Sequence, residues 1–141
     1  MERRMTITSK GSYNLSKTDN ILIVEAQGPF DDVTVNQYLT DIKVLIEDIK
    51  HEPWATLAIF KGNGIFTPEA EEALIDITRQ RMQNNMIAVA TVIQQSHQAD
   101  LQQMQLTRIY QSCNVVFNFF SDATVAQAWL DSFLENNQAV G

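Results

Sequence analysis

Few residues in this sequence are of the types that bind metals or attack a substrate, and they stand apart from one another. The two histidines, His51 and His97, do not form part of a metal-ligand pattern such as His-Glu-x-x-His. His51 lies in the polar connection after one predicted helix and His97 lies next to the cap of another, so we expect both to be solvated surface side chains. The sequence therefore predicts no metal site and no cofactor.

The single cysteine, Cys113, ends an apolar stripe of a predicted helix, beside Asn114 and Val115. Nothing near it in the sequence would lower the pKa of the thiol, as an activated nucleophile requires. We therefore expect Cys113 to be a buried packing residue. A single cysteine cannot form an intramolecular disulfide, which agrees with a reducing compartment.

Two groups of carboxylates could serve as acids and bases, but helix geometry explains both. Asp31 and Asp32 are adjacent at the start of a predicted helix, where neighbouring side chains diverge and the usual role is capping. Glu69, Glu71 and Glu72 lie near the start of another predicted helix and complement its dipole. With no catalytic constellation in view, the sequence predicts a protein that is not an enzyme.

One glycine-rich loop, Lys61-Gly62-Asn63-Gly64, lies between a predicted central strand and a helix, where α/β folds bind ligands. It lacks the GxxxxGK[ST] spacing, and the glutamates that follow compete for the field that would hold a phosphate. Two interpretations stay open. The loop is either a plain turn with a left-handed glycine at position 62 or 64, or a loop that contacts a ligand or partner.

Phe66 directly precedes the predicted helix cap Thr67, and it extends the candidate site. A residue at that position usually packs against the fourth helical residue, which here is Glu71. Phe66 must therefore enter the core or be presented to a partner or a ligand. Phosphorylation of Thr67 is disfavoured because it would add negative charge beside the glutamates. The candidate contact residues are Lys61, Gly62, Asn63, Gly64, Phe66 and Thr67.

Apolar periodicity predicts strands that alternate with helices around this loop. The predicted strands are residues 11–16, 21–24, 54–60, 86–93 and 114–120. The predicted helices are residues 32–50, 67–83 (capped by Thr67 with Pro68 at its first position), 96–113 (capped by Ser96) and a last helix capped by Ser121. Such alternation implies parallel crossovers, with the N-terminal hairpin strand antiparallel. The fold class is α/β, with a mixed, mostly parallel sheet of about five strands and about four helices.

The last two predicted helices carry more specific expectations. The glutamine-rich first half of the helix at 96–113 is expected to be mostly solvated. In the last helix, one apolar stripe is expected to face the sheet and to bury Trp129. The stripe comprises Val125, Trp129, Leu130, Phe133 and Leu134. The aromatic residues of the strands and stripes are expected to pack in the core.

The composition describes one soluble domain. The 141 residues, 45% of them hydrophobic, suffice for a single core spanning 1–141, with flexible ends at 1–9 and 136–141. No apolar run is long enough to cross a membrane, and the start does not resemble a signal region, so a cytoplasmic protein is expected. A net charge of -7 without a basic cluster disfavours nucleic acid as a partner.

The order of elements resembles the anti-sigma-factor-antagonist (STAS) superfamily, and most closely a bacterial branch grouped with STAS and CRAL-TRIO lipid-transfer domains. The likeness is carried by residues 28–31 (Gly-Pro-Phe-Asp), 54–59 (Trp-Ala-Thr-Leu-Ala-Ile), 119–122 (Phe-Phe-Ser-Asp) and 128–130 (Ala-Trp-Leu). It implies a STAS-like β-α superhelix. Phosphorylated STAS proteins have an Asp-Ser motif after the central strand, whereas residues 65–70 (Ile-Phe-Thr-Pro-Glu-Ala) have no serine. The phosphorylation switch therefore does not carry over.

Two functional hypotheses follow from these observations. The first is a non-enzymatic interaction or regulatory module that binds a protein partner or itself as a homodimer. The second is a carrier or sensor of a small apolar or lipid-like ligand. An apolar pocket of roughly a few hundred Å³ would favour the carrier, and a filled core with an exposed apolar patch would favour the interaction module.

Overall fold

The computed structural model describes residues 3–7, 12–28 and 32–138. The strands are β1 (Arg3–Ile7), β2 (Ser12–Thr18), β3 (Ile21–Gln27), β4 (Trp54–Lys61), β5 (Met86–Gln94) and β6 (Val116–Phe120). The helices are α1 (Asp32–Ile49), α2 (Pro68–Gln83), α3 (Ala99–Cys113) and α4 (Ala123–Gln138). Among these helices, none has both the length and the apolar character that crossing a bilayer demands.

The six strands form one sheet in the order β1-β2-β3-β4-β5-β6. The β1–β2 and β2–β3 pairs are antiparallel, and the three pairs from β3 to β6 are parallel. The predicted α/β class, with a mixed and mostly parallel sheet, is confirmed. Each parallel pair is joined by one helix, so α1 links β3 to β4 and α2 links β4 to β5, as predicted.

The additional strand β1 was not expected, because the first nine residues were predicted to be flexible. It pairs with β2 in a register that sets Arg3 opposite Ser16 and Ile7 opposite Ser12. An edge strand is held by backbone hydrogen bonds and tolerates charged side chains, so its sequence lacks the apolar signal of an inner strand. Residues 1, 2, 8 and 9 lie outside the described residues.

The sheet has two covered faces. Helices α1, α2 and α3 pack on one face, and α4 packs on the other. Strand β4 contributes side chains to both faces, because successive side chains of a strand point to opposite sides of the sheet. Leu57 and Ile59 point to the α4 side, whereas Trp54 points to the three-helix side and is fully buried there. The near-continuous apolar runs of β4 and β5 thus reflect burial on both faces.

The start of the helix agrees with prediction at α2 but not at α3 or α4. The Thr67 hydroxyl accepts a hydrogen bond from the Ala70 N–H at 3.1 Å, with Pro68 as the first helical residue. Helix α3 begins at Ala99, so Ser96 is not its cap. At α4 the carboxylate of Asp122, rather than Ser121, accepts from the Thr124 N–H at 2.7 Å. The charged oxygen is favoured there because it also complements the helix dipole.

The buried stripe of α4 includes Leu130 and Leu134, as predicted, but not Val125. Ala126 and Leu130 are fully buried, whereas Val125 is 53% exposed. Trp129 is only partly buried, packed between the rings of Phe120 and Phe133. Trp129 is therefore less deeply buried than Leu130 and Leu134, which belong to the same predicted stripe. The helix also extends to Gln138, beyond the point where fraying was expected, and 139–141 lie outside the described residues.

Candidate functional site

The predicted contact loop begins where β4 ends and turns sharply. Gly62 has a φ of +78°, which confirms a left-handed glycine in this loop. Lys61 lies 3.7 Å from the carboxylate of Glu25. Asn63 is exposed, and its side-chain oxygen accepts a hydrogen bond from the backbone N–H of His97 at 2.6 Å. Side chains of the loop thus contact β3, through Glu25, and the segment after β5, through His97.

Two glutamines of α3 hold the rest of this loop through its backbone. The side-chain amide of Gln102 donates to the carbonyl of Gly64 at 2.6 Å and to that of Gly62 at 3.2 Å. Gln105 accepts from the N–H of Phe66 and donates to its carbonyl, both at 3.0 Å. These side chains are 1% and 8% exposed, so the expectation that this half of α3 is solvated is wrong for them. Buried backbone groups need partners, and an amide supplies both a donor and an acceptor.

Phe66 belongs to the core. It is 5% exposed, and its ring meets that of Phe60 edge to face at a centroid distance of 5.7 Å. The hypothesis that Phe66 is presented to a partner is therefore wrong. Glu71 does not pack with it, as expected, and instead receives two hydrogen bonds from the guanidinium of Arg108. Thr67 acts as a cap. That the loop contacts a ligand or a partner stays a prediction.

Phe66 also lines a cavity of about 70 Å³ inside the three-helix side of the domain. The floor of this cavity is formed by strands β2 to β5, and its roof by α1, α2 and α3. Most of its walls are apolar, among them Val24, Val35, Phe66, Leu74, Leu106 and Ile109. The predicted site and the cavity share Phe66 alone.

Arg81 is the one charged residue among the described residues that line the cavity. It is 6% exposed. Its Nη2 donates to the hydroxyl of Tyr38, and its Cζ lies 5.1 Å from the centroid of that ring. Its Nε has no hydrogen-bond acceptor, and Arg81 takes part in none of the ion pairs formed within the described ranges. The guanidinium is thus buried without a carboxylate.

The hydroxyls on the cavity wall already have partners within the protein. Tyr13 donates to Asp41 at 2.5 Å, Thr78 donates to the carbonyl of Leu74 at 2.7 Å, and Tyr110 lies 3.0 Å from the hydroxyl of Thr91. Burial raises the pKa of Tyr110 to about 12, so its phenol is neutral near pH 7. Among the described side chains that line the cavity, Arg81 thus has the buried polar atom without a hydrogen-bond partner, its Nε.

Sequence analysis missed Arg81, although the sequence carries a signal for it. Arg81 follows Leu74 by seven positions and Thr78 by three, and all three residues line the cavity. Residues at these spacings share one face of a helix. An arginine in register with the inward face of α2 is thus distinguishable from Arg79, which is exposed.

The other residues considered for chemistry lie away from this cavity. His51 and His97 are exposed, as predicted. Cys113 is 7% exposed, as predicted, and burial raises the pKa of its thiol. Asp32 is the first residue of α1, and the role of Asp31 falls outside the described residues. Where the structure is described, no three potential metal-binding side chains come together.

A solved structure with a similar fold is that of an uncharacterized protein of the DUF3478 family from Shewanella loihica PV-4, described as SpoIIAA-like. The likeness covers 90% of this chain and 99% of that chain, with a TM-score of 0.59 and 15% sequence identity. It confirms the predicted STAS-like fold, and at this identity it establishes the fold alone. No family model matches this sequence, and no curated protein matches it.

Proposed function

We propose that this domain is a non-enzymatic regulatory module that senses a small molecule bound in the cavity beneath α1, α2 and α3. The observation that carries this proposal is an apolar cavity whose wall contains one buried cation, Arg81. Pockets of this composition, largely apolar with a few polar groups, are typical of small-molecule sites.

The cavity volume limits the size of the ligand. A single water needs roughly 10–15 Å³ of such space, so about 70 Å³ accommodates a molecule larger than one water. Pockets for drug-sized ligands measure roughly 300–1,000 Å³. The volume therefore supports a sensor of a small molecule better than a carrier of a whole lipid.

The surface gives less support to a module that acts by protein contacts alone. The large apolar side chains that are exposed are spread over α1, α3, β6 and α4: Val33, Val44, Leu101, Met104, Val116 and Val125. Exposed apolar residues at separate places are ordinary for a folded domain. We therefore propose that the small molecule is the input of the module. A protein partner, or a second copy of the chain, would receive its signal.

Titratable groups near the cavity favour binding over catalysis. Burial raises the pKa of Tyr110 to about 12, so this phenol on the cavity wall is neutral near pH 7. The hydroxyl of Thr78 is bonded to the backbone of its own helix. These groups are arranged to pack and not to exchange protons with a substrate.

The test is a titration of the protein with n-butanol and with butyrate, followed by amide ¹H–¹⁵N NMR. We expect at least one of the two probes to shift the amides of cavity residues, above all Phe66 and Thr78. Ala58→Val adds two carbons to the cavity wall and should abolish these shifts. Ala128→Val, on the exposed surface of α4, is the matched control and should leave them unchanged. Absence of cavity shifts with both probes would contradict the proposal.

A further inference from the structure

We infer that the cavity is selective for an anion, namely a small monocarboxylate with a short apolar tail, and that Arg81 is its anchor. This inference rests on the proposed function and specifies its ligand. It goes further because a cavity with the same volume and apolar walls, but without Arg81, would prefer a neutral molecule.

The charge of Arg81 is buried. A guanidinium stays protonated in proteins, so burial cannot remove its charge by a change of protonation. Removing it from water is costly unless a counter-charge and hydrogen-bond acceptors are supplied. Tyr38 supplies one acceptor and a ring face, but the Nε remains without a partner. An anion in the cavity would satisfy both the charge and this N–H.

Charge and shape favour a monocarboxylate over a phosphate. Arg81 is one cation, and the described cavity wall contains no second one, so a dianion would bury an uncompensated negative charge. The planar guanidinium matches the two oxygens of a carboxylate. The rest of the wall is apolar and suits a short alkyl tail, including the rings of Phe60 and Phe66.

Arg81 also lies at the boundary between the cavity and the surface. Besides the cavity, it lines a surface groove of about 480 Å³ between α1 and α2, together with Lys43, Glu47 and Ile77. The guanidinium thus lies between the groove and the cavity. The net charge of -7 disfavours the approach of an anion to most of the surface. Arg81 and Lys43 make the potential of this groove more positive, so an anion can approach there.

The experiment compares the dissociation constants of butyrate and n-butanol for the full chain at one ionic strength. These probes share an alkyl chain and differ in charge. We expect the wild-type protein to bind butyrate at least about tenfold more tightly than n-butanol, and Arg81→Met to weaken butyrate about ten- to hundredfold while n-butanol binding is retained. Arg79→Met, two positions away and exposed, should change neither constant.

The outcomes separate the inference from the proposed function. Equal affinity for both probes would overturn the anion inference and leave the small-molecule site in place, whereas binding of neither would overturn both. Tighter binding of inorganic phosphate than of butyrate would contradict the monocarboxylate. If Arg81→Met does not fold, Tyr38→Phe keeps the cation and removes the hydroxyl that positions it. Tyr38→Phe should weaken butyrate several-fold with n-butanol unchanged, and an unchanged butyrate constant would overturn the role of Arg81.

Discussion

At the scale of single residues, the polar side chains buried on the three-helix side fall into two kinds. Gln102 and Gln105 are bonded to the backbone of the loop that follows β4. Arg81 is only partly satisfied, since its Nε has no acceptor. Fully bonded buried groups support the fold, whereas a partly bonded buried cation costs stability and calls for a functional explanation.

Gln105 should therefore contribute strongly to stability. Gln105→Leu leaves both the N–H and the carbonyl of Phe66 without partners, so we expect the free energy of unfolding to fall by about 2–4 kcal/mol. Gln103→Leu changes an exposed position on the same helix and should alter it by less than about 0.5 kcal/mol. Denaturant unfolding measures both variants. Equal losses would show that the bonds to Phe66 do not account for the effect.

The raised pKa of Tyr110 predicts that the folded protein loses stability at high pH. Its pKa rises from 10.0 to about 12 on folding because the phenol is buried. The unfolded chain therefore releases this proton first as the pH rises. The contribution of Tyr110 to the free energy of unfolding is fully present below about pH 10 and is lost progressively as the pH approaches 12.

Unfolding free energies of the wild type and of Tyr110→Phe, measured from pH 8 to about pH 11, test this assignment. The wild type should lose more stability than the variant over this range. Parallel curves would mean that Tyr110 ionises with the same pKa in the folded and unfolded chains.

At the scale of elements, the sequence was informative wherever a local pattern decides the structure. Helix α1 ends within one residue of its prediction, and the Thr67-Pro68 start of α2 is confirmed in detail. The long apolar runs of β4 and β5 identified the inner strands. In each case propensity, capping and periodicity agree within one segment.

The features that were missed depend on contacts between distant segments. Nothing near Gln102 or Gln105 in the sequence indicates the loop around Gly64 that they bind from about forty residues away. The edge strand β1 is stabilised by its partner β2 and not by its own side chains. The cavity is likewise a property of packing between three helices and a sheet, so only the position of Arg81 on the inner face of α2 hinted at it.

The buried face of α4 leads to a prediction at the scale of elements. Leu130 is fully buried against the sheet, so Leu130→Ala should lower the free energy of unfolding by about 2–5 kcal/mol. Val125→Ala, in the stripe predicted from the sequence but exposed in the structure, should change it by about 0.5 kcal/mol or less. If thermal or denaturant unfolding gives a loss for Val125→Ala as large as that for Leu130→Ala, Val125 faces the core as the sequence pattern suggested.

At the scale of the whole molecule, the two faces of the sheet are packed differently. The α4 face forms a separate apolar cluster, whereas the cavity lies on the other face, where α1, α2 and α3 meet. A ligand there contacts all three helices and four strands at once. Binding to the folded state alone stabilises it by about 2.7 kcal/mol when the ligand is at roughly a hundred times its dissociation constant. Because Arg81 lines both the cavity and the groove between α1 and α2, we expect a ligand in the cavity to affect this groove.

The measurement that tests the central claim most directly is the NMR signal of the Arg81 Nε–H, assigned by its loss in Arg81→Met. This proton is buried and has no acceptor in the described structure. On titration with butyrate, we expect its ¹H resonance to move downfield and saturate together with the amide shifts of cavity residues, because a carboxylate forms a strong hydrogen bond with it. The same concentration of n-butanol should not produce that shift. An Arg81 Nε–H signal that stays in place at saturating butyrate would contradict the account.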